Sequence, residues 1–246
     1  MVRLKNLLIG GVCVLGVVFF MQNAHAGFQD FFKGVQDVFT GSASLTDGDI
    51  AAGLKEALQI GTGNAVANVG KVGGYLDNPQ IRIPLPGPLE KSENLLRLAG
   101  YGSQVDAFSQ SINRAAEVAA PQAKELFWQA IREMSIEDAR QILGGGDTAA
   151  TTYFKEKTSG NLREIFKPII HDSMAKVGAT RYFQDLDAKV KAIPFAGSLN
   201  LDLDSYVTDG ALNGLFTVVA EEERKIRQNP AARTTDLLKK VFSAGG

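Results

Sequence analysis

Residues 208–230, TDGALNGLFTVVAEEERKIRQNP, decide the fold class. Leu212, Leu215, Phe216, Val219 and Ile226 recur at three- and four-residue intervals, which places them on one face of a helix, and Asn229-Pro230 ends it. One charge falls on that apolar stripe. Glu222 lies three residues past Val219, seven past Leu215 and four before Ile226. A buried carboxylate without a partner is costly, so Glu222 calls for a cation, and Arg114, Arg227 and Arg233 are the candidates. Arg114 and Glu117 sit one turn apart and extend the same expected network.

The same periodicity spreads outward along the chain. Leu162, Ile165, Phe166, Ile169, Ile170 and Val177 form a helical series from Asn161 that Pro168 can kink and Gly178 can stop. Tyr182, Phe183, Leu186 and Val190 mark another helix, and a last one covers about 232–242. Upstream, helices are signalled by their caps. Thr46-x-x-Asp49, Ser103-x-x-Asp106 and Ser135-x-x-Asp138 each read as a capping box, Pro121 suits a first helical position, and Asp147 after Gly144-Gly145-Gly146 suits the cap of a helix carrying Tyr153 and Phe154. Gly61, Gly63, Gly70, Gly73 and Gly74 read as close helix packing or turns, because no third glycine or preceding strand completes a dinucleotide loop.

Asp77 to Pro88 interrupts this pattern. Prolines at 79, 84, 86 and 88 remove donors and push the residues before them into extended conformations. Ile81-Arg82-Ile83 alternates like a short edge strand, and Leu199-Asn200-Leu201-Asp202-Leu203 alternates likewise. The fold class is therefore all-α, a single-domain multi-helix bundle, with at most one small two-stranded ribbon pairing about 81–83 with 199–203.

The amino terminus has a different composition. Arg3 and Lys5 precede an apolar run from Leu7 to Met21, and Ala24-His25-Ala26 supplies the small residues a signal peptidase reads. Residues 1–26 thus read as a cleavable secretory signal and 27–44 as an amphipathic helix with its linker, leaving 45–243 as one helical domain. The 27–39 helix carries Phe28, Phe31, Phe32, Val35 and Phe39 on one face, a surface for core packing or for an envelope protein partner. Periplasmic or secreted localisation follows as the expectation.

Without residues 1–26 the chain has 24 Lys+Arg against 27 Asp+Glu, a formal charge of −3. That sign and size argue against a nucleic-acid partner. Cys13, the one cysteine, falls inside the signal, so the remaining chain offers no disulfide, thiolate metal site or cysteine nucleophile. His171 is its one histidine. It points away from the apolar stripe of its helix, and Asp172 next to it is about 100° further round, so the two form no dyad. Asp202-x-Asp204-Ser205 resembles the opening of a calcium loop, but Val207 stands where the sixth position needs glycine and Asn213 where the twelfth needs glutamate. No metal and no cofactor is expected.

Several ordered blocks resemble one known family. Gly53-Leu-Lys-Glu-Ala-Leu58, Ile81-Arg-Ile-Pro-Leu-Pro86, Asn113-Arg-Ala-Ala-Glu117, Asp138-Ala-Arg-Gln-Ile-Leu143, Ala149-Ala-Thr-Thr-Tyr-Phe154, Ala211-Leu-Asn-Gly-Leu-Phe216 and Asn229-Pro-Ala-Ala-Arg-Thr-Thr-Asp-Leu-Leu238 are similar to the pattern of bacterial exported proteins grouped as domain of unknown function 4197. The resemblance covers roughly 45–243. It implies a single exported helical domain of this size and carries over no catalytic residue.

The resulting expectation is a non-enzymatic envelope protein that binds a lipid, another hydrophobic or amphipathic ligand, or an envelope partner, in a cleft beside the proline segment. Arg114, Glu117, Tyr153, Glu222, Arg227 and Arg233 are the candidate ligand-binding residues, and a purely structural ion-pair cluster is the competing account of them. Two alternatives accompany it. One is a hydrolase using Tyr153 or Thr152 with Glu222 as base; the other is a structural protein docking through the Phe28–Phe39 helix.

Overall fold

The computed structural model describes residues 46–192 and 201–228. The signal 1–26, the phenylalanine helix with its linker to 44, residues 199–200 of the expected ribbon, Arg233 and the helix at about 232–242 lie outside them. Among the described residues the protein is all-α, with helices α1 (Asp47–Gly70), α2 (Gly87–Leu96), α3 (Gly102–Ala119), α4 (Ala123–Glu133), α5 (Ile136–Gly144), α6 (Ala149–Lys176), α7 (Ala179–Lys191) and α8 (Leu203–Gln228). None of them is long and apolar enough to cross a membrane.

Helix α8 is the axis of the bundle. Its stripe Leu212, Leu215, Phe216, Val219 and Ile226 is buried as the periodicity demands, and it packs against α6, α1 and α3. Phe127 of α4 stacks between Phe154 of α6 and Phe216 of α8, with ring centroids 5.3 and 6.0 Å apart, so three helices meet on one aromatic contact. Close approach of α1 and α8 depends on Gly61, where an added Cβ would lie 3.2 Å from Ile226 Cδ1.

Several local readings of the sequence change in the fold. The two helices expected around Tyr153 and Ile165 are one 28-residue helix, α6, which runs through Pro168. Ser135 and Asp138 do form a capping box for α5, each side chain bonding the other's backbone N–H. Ser103 does not cap α3: its hydroxyl donates to Gln104, and Asp106 pairs with Arg97 instead. Asp147 does not cap α6 either, and accepts from the Gln228 side chain.

The proline segment is irregular, and no strand occurs among the described residues. The backbone partner of Ile83 is a side chain. The Asn113 amide accepts from the Ile83 N–H at 2.8 Å and donates to the Ile83 C=O at 3.0 Å, reproducing what a neighbouring strand would supply. Leu201–Leu203 leads instead into α8. The Asp202 carboxylate takes the Ser205 N–H at 3.1 Å and its hydroxyl at 2.7 Å, an N-cap arrangement, with Lys167 Nζ 3.1 Å away.

Candidate functional site

Between α1 and the proline segment, residues 71–77 turn back on themselves around Gly73, whose φ of +78° is in the left-handed region. Tyr75 anchors this turn. Its ring is fully buried, and its hydroxyl donates to the Ala211 carbonyl of α8 at 2.6 Å. Burial pushes that hydroxyl far above the usual phenol range, and the negative charge of Glu117 pushes it further. Room for the ring exists because position 214 is glycine: a Cβ there would stand 2.5 Å from Tyr75 Cε1.

Glu117 of α3 holds the turn from the other side. Only 1% exposed, it accepts the Tyr75 and Leu76 N–H groups at Oε1, at 3.2 and 3.4 Å, and the Arg114 guanidinium at Oε2, at 3.0 Å. Three donors on a buried carboxylate satisfy its charge. Arg114 rises from that pair into an open hollow of about 340 Å³, with a side chain 42% exposed where that of Glu117 is 2%. The walls are Val72 and Leu76 from the turn, Ala107 from α3, and Val177 and Tyr182 from the α6–α7 corner. Val72 is 78% exposed, so the hollow has an apolar rim over a polar floor.

The other expected site residues are placed elsewhere. Glu222 is buried on the stripe as its position implied, but its cation is Lys225, one turn along, at 2.6 Å. It borders a second hollow of about 390 Å³ on the opposite side of the same turn, sharing Val72 and Gly73 with the first. Arg227 pairs not with Glu222 but with Glu223, at 2.9 Å, and also donates to the Ile142 carbonyl. Tyr153 lies in a third hollow, of about 270 Å³, with its hydroxyl donating to the Ala130 carbonyl at 3.3 Å. Burial, then Asp138 and Glu133, raise its pKa, which opposes a tyrosinate nucleophile. The hydrolase centre of Tyr153 with Glu222 is therefore not assembled: the two line different hollows.

Glu223 is the residue that the sequence reading missed. Its carboxylate accepts the Ala150 and Thr151 N–H groups and the Thr151 hydroxyl, at 2.8–2.9 Å, and so caps α6 from a neighbouring helix. A signal was present, since Glu223 is four residues past Val219 and seven past Phe216, on the edge of the same stripe.

The cleft beside the proline segment does exist. Its lining includes Pro84, Leu85, Arg82 and Arg97, with a volume of about 370 Å³. Arg97 is committed there to Glu93 and Asp106, at 2.8 and 2.6 Å, and Arg82 donates to Ser109. The Arg114 hollow lies on the other face of α3, since Val105 and Ser109 border one and Ala107, Gln110 and Arg114 the other. His171 is exposed as expected, yet its Nδ1 lies 2.9 Å from Asp204 of α8, a contact across helices.

The model of the family described as "Protein of unknown function (DUF4197)" matches residues 44–243. Curated proteins and solved structures yield no match to the chain.

Proposed function

We propose that this chain, which belongs to the DUF4197 family, is a non-enzymatic exported protein that binds a small amphipathic ligand in the Arg114 hollow. The observation that carries the reading is the pairing of an exposed guanidinium, fixed from below by buried Glu117, with exposed apolar side chains on the same concavity. Concave sites of a few hundred cubic ångströms, mostly apolar with a few fixed polar groups, are where small molecules bind. The basic, apolar and small-residue pattern of 1–26 supports export, and with it a ligand met in the cell envelope.

Tyr75 and Glu117 give the hollow a firm base. Its wall residue Leu76 follows the buried Tyr75 directly, so ligand binding there needs little ordering of the protein. The test is non-denaturing mass spectrometry of the chain recovered from a bacterial periplasm, with and without Val72→Asp. A small amphiphile retained by the parent and lost from the variant, both folded, is the expected outcome. Absence of any retained amphiphile, or equal retention by both, refutes the reading.

A further inference from the structure

We infer that the Arg114 hollow selects a small amphipathic carboxylate, the head bound by Arg114 with Tyr182 and Gln110, and the body by Val72, Leu76 and Val177. This rests on the binding reading above and specifies its ligand.

The exposed charged group in the hollow, Arg114, is a donor only. A guanidinium carries five N–H groups in a planar fork. Among the described residues Arg114 spends its contact with Glu117 through Nη1 alone, end-on. An open edge of the fork remains, and a planar two-oxygen acceptor fits it with two parallel bonds. Tyr182 and Gln110 line the same hollow, and neither side chain makes a hydrogen bond among the described residues. Ser111, also in the lining, already donates to the Phe108 carbonyl.

The pair of Arg114 with Glu117 is formally neutral, so the sign of the ligand is decided by which member it touches. Glu117 is beneath the surface with both oxygens occupied, whereas Arg114 is the exposed member. A cationic ligand would face the guanidinium and reach no free carboxylate oxygen of that pair. A dianion would face a single cation with a buried negative charge behind it. A monoanion with two coplanar oxygens matches best.

The walls made by Val72, Leu76, Val177 and the Tyr182 ring suit a short alkyl chain behind the head, and octanoate carries one.

The experiment titrates the full chain lacking residues 1–26 with octanoate, octyl phosphate, 1-octanol and octylamine, following the methyl resonances of Val72, Ala107 and Val177. Octanoate is expected to shift them saturably, at least about tenfold more tightly than 1-octanol, the scale of one charge-assisted contact. Arg114→Gln should remove that preference, and Tyr182→Phe should reduce it severalfold. Equal binding of octanoate and 1-octanol at these methyls overturns the carboxylate assignment while leaving the binding site intact; tighter octyl phosphate or octylamine does the same. No shift with any of the four overturns the site and the inference together. Where Arg114→Gln lowers the folded fraction, Tyr182→Phe and Gln110→Ala, both near the surface, carry the test. An octanoate preference unchanged in both overturns the proposed head contacts.

Discussion

Replacing Asn113 with alanine removes the only partners that the described residues offer to the Ile83 N–H and C=O. Ile83 is buried at 2% exposure and Asn113 is fully buried, so the variant orphans two backbone groups away from water. Each orphan costs about 1–3 kcal/mol, and their sum is about 2–6 kcal/mol. Water entering the space left by the amide moves the outcome toward the low end, to about 3 kcal/mol. For a domain of this length 1 kcal/mol corresponds to about 2–4 °C in Tm, which makes the expected drop about 6–12 °C.

Urea unfolding of parent and variant measures the loss, and amide hydrogen exchange locates it. The Ile83 amide should exchange only on global unfolding in the parent and by local opening in Asn113→Ala. Ser111→Ala is the control on the same helix: its hydroxyl donates to a carbonyl within α3, and its loss should cost less than about 1 kcal/mol. Asn113→Asp keeps the acceptor for the N–H but presents an anion to the Ile83 and Ser109 carbonyls, so it should be no more stable than Asn113→Ala at neutral pH. A loss below about 1 kcal/mol for Asn113→Ala, with Ile83 still protected, would refute the idea that a side chain stands in for a strand here.

Four further outcomes are expected. Gly214→Ala drives a methyl to within 2.5 Å of Tyr75 Cε1 and 3.1 Å of Ile81 Cβ, and overpacking of this kind should cost at least about 1–3 kcal/mol in urea unfolding. Gly160→Ala, in the exposed middle of α6 with nothing near, should stabilise by about 0.5–1 kcal/mol. Glu223→Ala strips the first turn of α6 of its acceptor and leaves Arg227 facing no carboxylate at that position. A loss of about 3–5 kcal/mol is expected, and unchanged exchange at the Ala150 and Thr151 amides would sink the capping role. Asp202 is held down to about 2, first by the Ser205 hydroxyl and N–H and then by Lys167. Because the folded value is depressed, its contribution to stability is present above the ordinary carboxylate pKa and is lost as pH falls toward 2. A carboxyl NMR titration of Asp202 with its midpoint at the ordinary value would contradict that cap, and Ser205→Ala should raise the midpoint.

Helical periodicity was legible because it is local. Leu212, Leu215, Phe216 and Val219 repeat at the spacing of a helix whatever surrounds them, and burial of that stripe follows from water alone. The same held for the Ser135–Asp138 box, where both partners are within one turn. Burial of Glu222 was legible for the same reason.

Partner choice was not legible, because local spacing offers each charge several partners and contacts from other elements decide among them. Ser103-x-x-Asp106 has the spacing of a cap, yet Arg97 competes for Asp106, and only the fold places that guanidinium 2.6 Å away. Ile81-Arg82-Ile83 reads as a strand in search of a neighbour, and the neighbour is Asn113, thirty residues on. Arg227 was one of three candidates for Glu222 and pairs with Glu223 instead: adjacent residues on a helix differ by about 100°, and Arg227 reaches toward the Ile142 carbonyl of α5 on the side where Glu223 lies. The sequence by itself determined an all-α protein, its main buried stripes and the residue types excluded from its chemistry. Tertiary structure alone decided which carboxylate meets which cation and where Arg114 remains exposed, because hydrogen bonds and charges act over a few ångströms in space and carry no period along the chain.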